Sequence, residues 1–279
     1  MATYKIAGVQ MDIAIGDRAQ NLVAMKTRLD QSLAAGAVLT VFPECTTTGY
    51  CFETKDEALG VAESLDGPSV QTVTQWCRDL STCVIFGFLE SAGEHLYNSL
   101  ALVGPNGLIG SYRKVHLPML GVDRFTTPGD GFRVFAAGEI QVGLNICYDC
   151  SFPESARVLT LQGADLIALP TNWPPGSGHT SDLIPNARAL ENHVYFMSVN
   201  RVGTERGFDF IGKSKICDPK GNTLAFANHT DAETIYADVD PSFARNKHLV
   251  SVPGQHEVCL LYTSPSPRDA TLSRMPSSA

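Results

Sequence analysis

No apolar run in the sequence approaches the roughly 20 residues that a helix needs to cross a bilayer, so no membrane partner is expected. A basic excess is missing too: 21 Lys and Arg stand against 29 Asp and Glu, a formal net charge of −8, and the pI is about 5.3. Nucleic-acid binding requires a basic face that displaces counterions, and no such partner is expected here. Residues 1–6 run straight into a strand-like segment with no secretory h-region, which points to a cytoplasmic location. Cysteine is not scarce, at eight, but its spacing is wrong for zinc. Cys45/Cys51 and Cys77/Cys83 are too widely spaced for a zinc knuckle and no histidine pair completes one, so no metal is expected. In an acidic chain of 279 residues, reduced thiols are expected rather than a disulfide framework.

What is present is the composition of an ordinary globular protein, 44% hydrophobic and 18% charged, long enough for one large core or two fused layers. Residues 6–11 read as a strand. Residues 17–35 read as a helix with Leu22, Met25, Leu29 and Leu33 on one face and Gly36 as its stop. The near-continuous apolar run 37–42 is the mark of a strand buried on both faces, and it ends at Pro43-Glu44. A second helix over 68–80 and a second buried strand over 83–89 follow. Pro105-Asn106-Gly107 is a hairpin turn between strands 98–103 and 108–115. A similar unit at 212–217 and 223–227 hints at a pseudo-repeat, though shared turn chemistry would look the same. Between the hairpins, strands are expected at 165–169 and 194–199, with a helix over about 181–193. This alternation predicts an α/β layered protein. One domain is expected over 1–258. The Ser/Pro-rich stretch 259–279 has no periodicity, is expected to contribute nothing to the core, and reads as a non-native addition.

Three reactive side chains sit at similar places in this pattern. The β-prone run 141–146 ends at Cys147, a polar turn follows, and Pro153-Glu154 opens a helix that runs to Gly163. A thiol between a strand end and a helix start is partly exposed in a positive local field, which lowers its pKa and makes it a nucleophile. A cysteine taken at random is more often a small buried hydrophobe. Glu44 lies just past another buried strand, and Lys114 lies near the end of a hairpin strand. Sites in open α/β sheets gather at the carboxyl ends of strands, so neighbouring strands would bring the three groups together. A carboxylate that takes the thiol proton, a thiolate that attacks carbon and an ammonium that stabilises the resulting charge make up acyl-transfer chemistry. Taken singly, Glu44 reads as a turn cap, Lys114 beside Arg113 as a solvated strand edge, and His116 as structural. Cys147-Tyr148-Asp149-Cys150 also matches the C-x-x-C redox pattern. The chain is far longer than a thioredoxin module, however, and a redox role leaves Glu44 and Lys114 idle.

Phe42-Pro43-Glu44 with Thr48-Gly49-Tyr50, the run Tyr112-Arg113-Lys114-Val115-His116-Leu117-Pro118, and Cys147-Tyr148-Asp149 with Phe152-Pro153-Glu154 resemble, in order, the three motif blocks of the nitrilase-like carbon–nitrogen hydrolase superfamily. Tyr97-Asn98-Ser99, Pro170-Thr171-Asn172-Trp173 and Asn200-Arg201-Val202-Gly203 extend the likeness to about residues 4–240. The resemblance implies a four-layer α-β-β-α sandwich that forms a homodimer or higher oligomer, with no metal or organic cofactor. It implies Glu44 as general base, Lys114 as oxyanion stabiliser and Cys147 as nucleophile, with the backbone N–H of Tyr148 sharing the oxyanion hole. Many relatives carry a second glutamate before a Pro-Gly. Here Asp123 is the only acid in that segment, either its substitute or a loop partner of Arg124. The usual C-terminal segment is replaced by the Ser/Pro-rich tail, which bears on assembly. Nitrilases resemble one another in following the cysteine with Trp-Glu, so Tyr148-Asp149 favours the amidase and carbamoylase branches. A small-molecule amide is the expected substrate, with an N-carbamoyl amine or amino acid as the alternative; a nitrilase and a non-catalytic homologue are more remote. Tyr50, Asn172, Trp173 and Phe208 are candidate pocket residues, and Trp173 reads equally well as core.

Overall fold

A computed structural model describes residues 2–260. The first half runs β1 (Tyr4–Gln10), α1 (Arg18–Ala34), β2 (Leu39–Val41), α2 (Lys55–Val61), α3 (Pro68–Leu80), β3 (Cys83–Ala92), β4 (His95–Gly104) and β5 (Gly107–Arg113). The second runs β6 (Val134–Ala137), β7 (Ile140–Leu144), α4 (Pro153–Leu161), β8 (Leu166–Pro170), α5 (Gly178–Asn192), β9 (Tyr195–Val199), the two-residue strands β10 (Thr204–Glu205) and β11 (Phe208–Asp209), β12 (Lys215–Cys217) and β13 (Thr223–Phe226). The chain then crosses back in β14 (Glu233–Val239), α6 (Pro241–Arg245), β15 (His248–Val252) and β16 (His256–Cys259). Residues 261–279, which hold nearly all of the Ser/Pro-rich tail, lie outside the described residues.

Two six-stranded sheets result, ordered β14-β1-β2-β3-β4-β5 and β6-β7-β8-β9-β12-β13. Read from edge to edge, the neighbours in each pair antiparallel, parallel, parallel, antiparallel, antiparallel. The two hairpins singled out in the sequence, β4–β5 and β12–β13, fill the same place in each half. The sheets share one core, in which Ile6, Leu39, Val41 and Ile85 meet Val142, Leu144, Leu166 and Val199. The outer face of the first sheet carries Val9, Val84, Phe86 and Phe88, packed against Met25 and Leu29 of α1 and Val70, Val73 and Cys77 of α3. Helices α4 and α5 cover the second sheet; Gly143 of β7 faces Leu159 of α4, and Lys215 of β12 donates to Asn186 of α5. The architecture is the four-layer α-β-β-α sandwich expected.

Local chemistry explains the borders. The Asp17 side chain accepts from the Gln20 N–H and caps α1, and Pro68 starts α3 where a missing N–H costs nothing. No helix among the described residues is long and apolar enough to cross a membrane.

Candidate active site

The carboxyl ends of β2, β5 and β7 lie together. After β2 the chain makes a tight turn in which Cys45 has φ +50° and its carbonyl accepts from the N–H groups of Thr48 and Gly49. Gly87 of β3 fits against this turn, so closely that a Cβ there would stand 2.3 Å from Cys45 N. Glu44 is thereby fixed in the turn that follows β2. After β5, the Lys114 N–H donates to the Asn98 carbonyl at 2.9 Å and the Lys114 carbonyl accepts from Gly129.

After β7, Cys147 opens a 3-10 turn, Cys147–Ser151, with φ +43°. A left-handed backbone is costly for a residue with a Cβ and needs support from its surroundings. Asp149 gives much of that support. Its Oδ2 accepts from the Ile146 N–H at 2.9 Å and the Tyr112 hydroxyl at 2.7 Å. Its Oδ1 accepts from the His116 N–H and meets His116 Nδ1, each at 2.9 Å. The His116 ring stacks on Phe152 at 3.8 Å. One buried carboxylate therefore fastens the cysteine turn to the loop that carries Lys114.

Lys114 and Glu44 are fully buried and Asp123 nearly so. Lys114 Nζ donates to Glu44 Oε1 at 2.8 Å and to Asp123 Oδ2 at 2.5 Å. Asn98 Nδ2 donates to the same pair, at 2.6 Å to Glu44 Oε1 and 2.9 Å to Asp123 Oδ1. The Tyr50 hydroxyl lies 2.8 Å from Asp123 Oδ2. Glu44 Oε2 has no hydrogen-bond partner among the described residues. Asp123 thus joins the cluster. Arg124 instead donates to the carbonyls of Gly121 and Phe52.

The electrostatics follow from burial. Burial raises the Glu44 pKa, Lys114 opposes it, Asp123 adds to it, and the net direction is upward. Burial disfavours the Lys114 ammonium, but Asp123 and Glu44 together hold its pKa well above the usual lysine range. Burial and then Glu44 push the Cys147 thiol up, against Lys114, the Thr171 hydroxyl and the Asn172 N–H. The lowered thiol pKa expected from sequence is therefore corrected. Cys147 is only 9% exposed, it faces a carboxylate, and five residues separate it from the first residue of α4.

Tyr50 and Phe208 line a cavity of about 300 Å³ with Cys51, Phe52, Leu120 and Arg206. Asn172 lies at the thiol, and its Nδ2 donates to the Glu44 carbonyl at 3.2 Å. Trp173 is packed in the core between the sheets, with its backbone N–H donating to Asn200 Oδ1. Sequence reasoning did not single out Glu205. This buried carboxylate accepts from the N–H groups of Tyr50 and Cys51 at 2.9 and 2.6 Å and pairs with buried Arg201 at 2.6 Å. Among the described residues, no group of three or more His, Cys, Asp or Glu side chains is arranged to hold a metal ion. A thiol, a carboxylate with a free oxygen and an ammonium with a spare N–H, all shielded from water, are equipped for acyl transfer.

The model of the family described as carbon–nitrogen hydrolase matches residues 5–248. A nitrilase of Pyrococcus abyssi is 42% identical over 250 residues, spanning 88% of this chain and 93% of that protein. An (R)-stereoselective amidase of Pseudomonas sp is 36% identical over 235 residues, 83% of each chain. Among solved structures, Saccharomyces cerevisiae Nit3, a member of branch 10 of the nitrilase superfamily, superposes with a TM-score of 0.78 at 25% identity, covering 87% of this chain and 92% of its own.

Proposed function

Because the chain belongs to the carbon–nitrogen hydrolase family, we propose that it is a cysteine-dependent amidase that converts a small amide to its carboxylic acid and ammonia. The observation that carries this reading is the convergence of Glu44, Lys114 and Cys147 from three separate strand ends on one buried cluster.

In the resting site the sulfur holds its proton, in keeping with the upward shift of its pKa. As the sulfur attacks the amide carbon, its proton passes to Glu44, whose Oε2 is unpaired among the described residues. The carbonyl oxygen becomes an oxyanion. An ammonium has three donors, and two on Lys114 are spent on Glu44 and Asp123, which leaves one for the oxyanion beside the backbone N–H of Tyr148. Glu44 returns its proton to the NH2 nitrogen, the C–N bond breaks as the tetrahedral species collapses, and the nitrogen leaves as ammonia. Water then attacks the thioacyl carbon, gives a proton to Glu44, and the carboxylic acid leaves as the thiol is restored. Asp123 keeps Lys114 charged throughout, since burial alone would favour the neutral amine.

The test is a panel of small amides, N-carbamoyl compounds and nitriles assayed for ammonia, with Cys147→Ala as the blank. Turnover of amides that the blank lacks supports the reading, and silence on every amide refutes it. A second reading, nitrile hydrolysis, draws on the 42% identity to a protein named nitrilase. The nitrile arm of the same panel decides it.

A further inference from the structure

We propose that Asn98 is a positioning residue of this centre: its amide clamps Glu44 and Asp123 at a fixed separation on one lysine and leaves Glu44 Oε2, rather than Oε1, open to the proton. The inference rests on the reading of Glu44 as the base.

Asn98 is fully buried on β4. Its carbonyl takes the Lys114 N–H, so the hairpin delivers the two side chains as neighbours. They make matching bridges. The ammonium joins Glu44 Oε1 to Asp123 Oδ2, and the amide joins Glu44 Oε1 to Asp123 Oδ1. Both amide hydrogens are therefore used, one on each carboxylate. The amide's orientation is fixed independently, because Cys45 Sγ lies 3.5 Å from Asn98 Oδ1 as its donor. Turning the amide over would set its oxygen against two carboxylate oxygens. Two buried carboxylates on one ammonium carry a net negative charge and repel each other. A primary amide supplies two donors and, unlike a second lysine, has no proton to lose.

The groups that face Glu44 are Lys114 from the end of β5, Asp123 from the 3-10 turn Gly121–Phe125, the Cys147 thiol from the turn after β7, the Cys45 thiol beside it, and the Tyr50 phenol. Without Asn98, Glu44 loses one hydrogen bond to its charged form and feels Asp123 more strongly. Both effects make the carboxylate easier to protonate. A base must be unprotonated to act, so the acidic limb of activity moves to higher pH.

The experiment measures kcat/KM against pH for the wild type, Asn98→Ala and Asn98→Ser, using an amide turned over in the panel. It also measures the pH dependence of Cys147 alkylation by iodoacetamide, a reaction that forms a C–S bond and releases iodide. Asn98→Ala is expected to move the acidic limb of both profiles alkaline by about one pH unit, the scale of a lost hydrogen bond to a charged group. Asn98→Ser, which keeps one donor, should move them less. A lower rate at every pH with the limbs in place overturns the inference, since that is what general loosening would do. If neither variant folds by circular dichroism, Cys45→Ala carries the test. Losing the donor that anchors the amide oxygen lets the two Nδ2 bonds lengthen, which should move the limbs the same way by a smaller amount, and unmoved limbs again refute the proposal. Glu44→Gln separates the two claims. Activity surviving in Glu44→Gln removes the base reading itself, whereas an inactive Glu44→Gln with unmoved Asn98→Ala limbs removes the Asn98 inference alone.

Discussion

Gly87→Ala places one methyl group where the chain that carries Glu44 passes. The new Cβ would stand 2.3 Å from Cys45 N and 2.8 Å from Glu44 Cα. Carbon contacts are comfortable only from about 3.5 Å, so the turn must retreat by roughly 1 Å. The obstacle is backbone on both sides, and no side chain can swing away. Such overpacking costs about 1–3 kcal/mol, which a fold of ordinary stability, about 5–15 kcal/mol, survives. A misplacement of about 1 Å at a reacting group costs on the order of 100-fold in rate, equivalent to about 2.7 kcal/mol of barrier. The expected result is therefore a folded protein with a modestly lower urea midpoint and kcat/KM reduced by about two orders of magnitude. Gly60→Ala is the control. Gly60 sits in α2 with open space around its Cα, so the change should add about 0.5–1 kcal/mol of stability and leave activity alone. Gly87→Ala with kcat/KM within twofold of the wild type would refute the claim that Glu44 must be held where it is.

Cys147→Ala should abolish ammonia release from every substrate while the thermal midpoint stays within a few degrees. A midpoint collapse would assign the residue to the core instead. Glu205→Gln removes the charge opposite Arg201 and an acceptor for the Tyr50 and Cys51 N–H groups. It should cost about 3–5 kcal/mol in urea denaturation; an unchanged urea midpoint contradicts this. Lys247 is buried with its ammonium on the carbonyls of Asn192 and His193, and burial pushes its pKa down to about 8 from 10.5. Between those two pH values the unfolded chain binds more protons than the native one, so stability should rise with pH, by up to about 3 kcal/mol relative to Lys247→Met. A difference that stays flat from pH 7.5 to 10 rules this out.

The parts of the fold legible in the sequence are those with strong local signals. The apolar runs around Leu39–Val41 and Cys83–Ala92 gave their strands, and Pro68 with its inward Val70, Val73 and Cys77 gave α3. Helix α2 was not legible, because Ala58 is its only buried residue and no apolar stripe marks it. β14 carries an ordinary half-buried pattern, and its partner β1 lies at the other end of the chain. The meeting of Asn98 with Lys114 was hidden by a register shift. A tight turn pairing Gly104 with Gly107 would by itself set Asn98 opposite Arg113. The bulge between Leu102 and Val103 slips the pairing by one residue, so that Ser99 faces Arg113 and Asn98 meets Lys114. Strand ends pointed to Glu44, Lys114 and Cys147 as neighbours, and Lys114 meets Glu44 at 2.8 Å. They could not reveal the thiol's proton affinity, which depends on how much water the folded chain excludes.

The path of the chain through β14 has a further consequence. Having completed the second sheet, the polypeptide pairs seven residues with β1 of the first. It then returns to the second half, where Arg245 binds Asp165 and Lys247 closes the end of α5. The two halves are laced together like the sides of a boot, so neither can peel away while the other stays intact. Melting should therefore be a single step, with far-ultraviolet signal and turnover vanishing at one temperature.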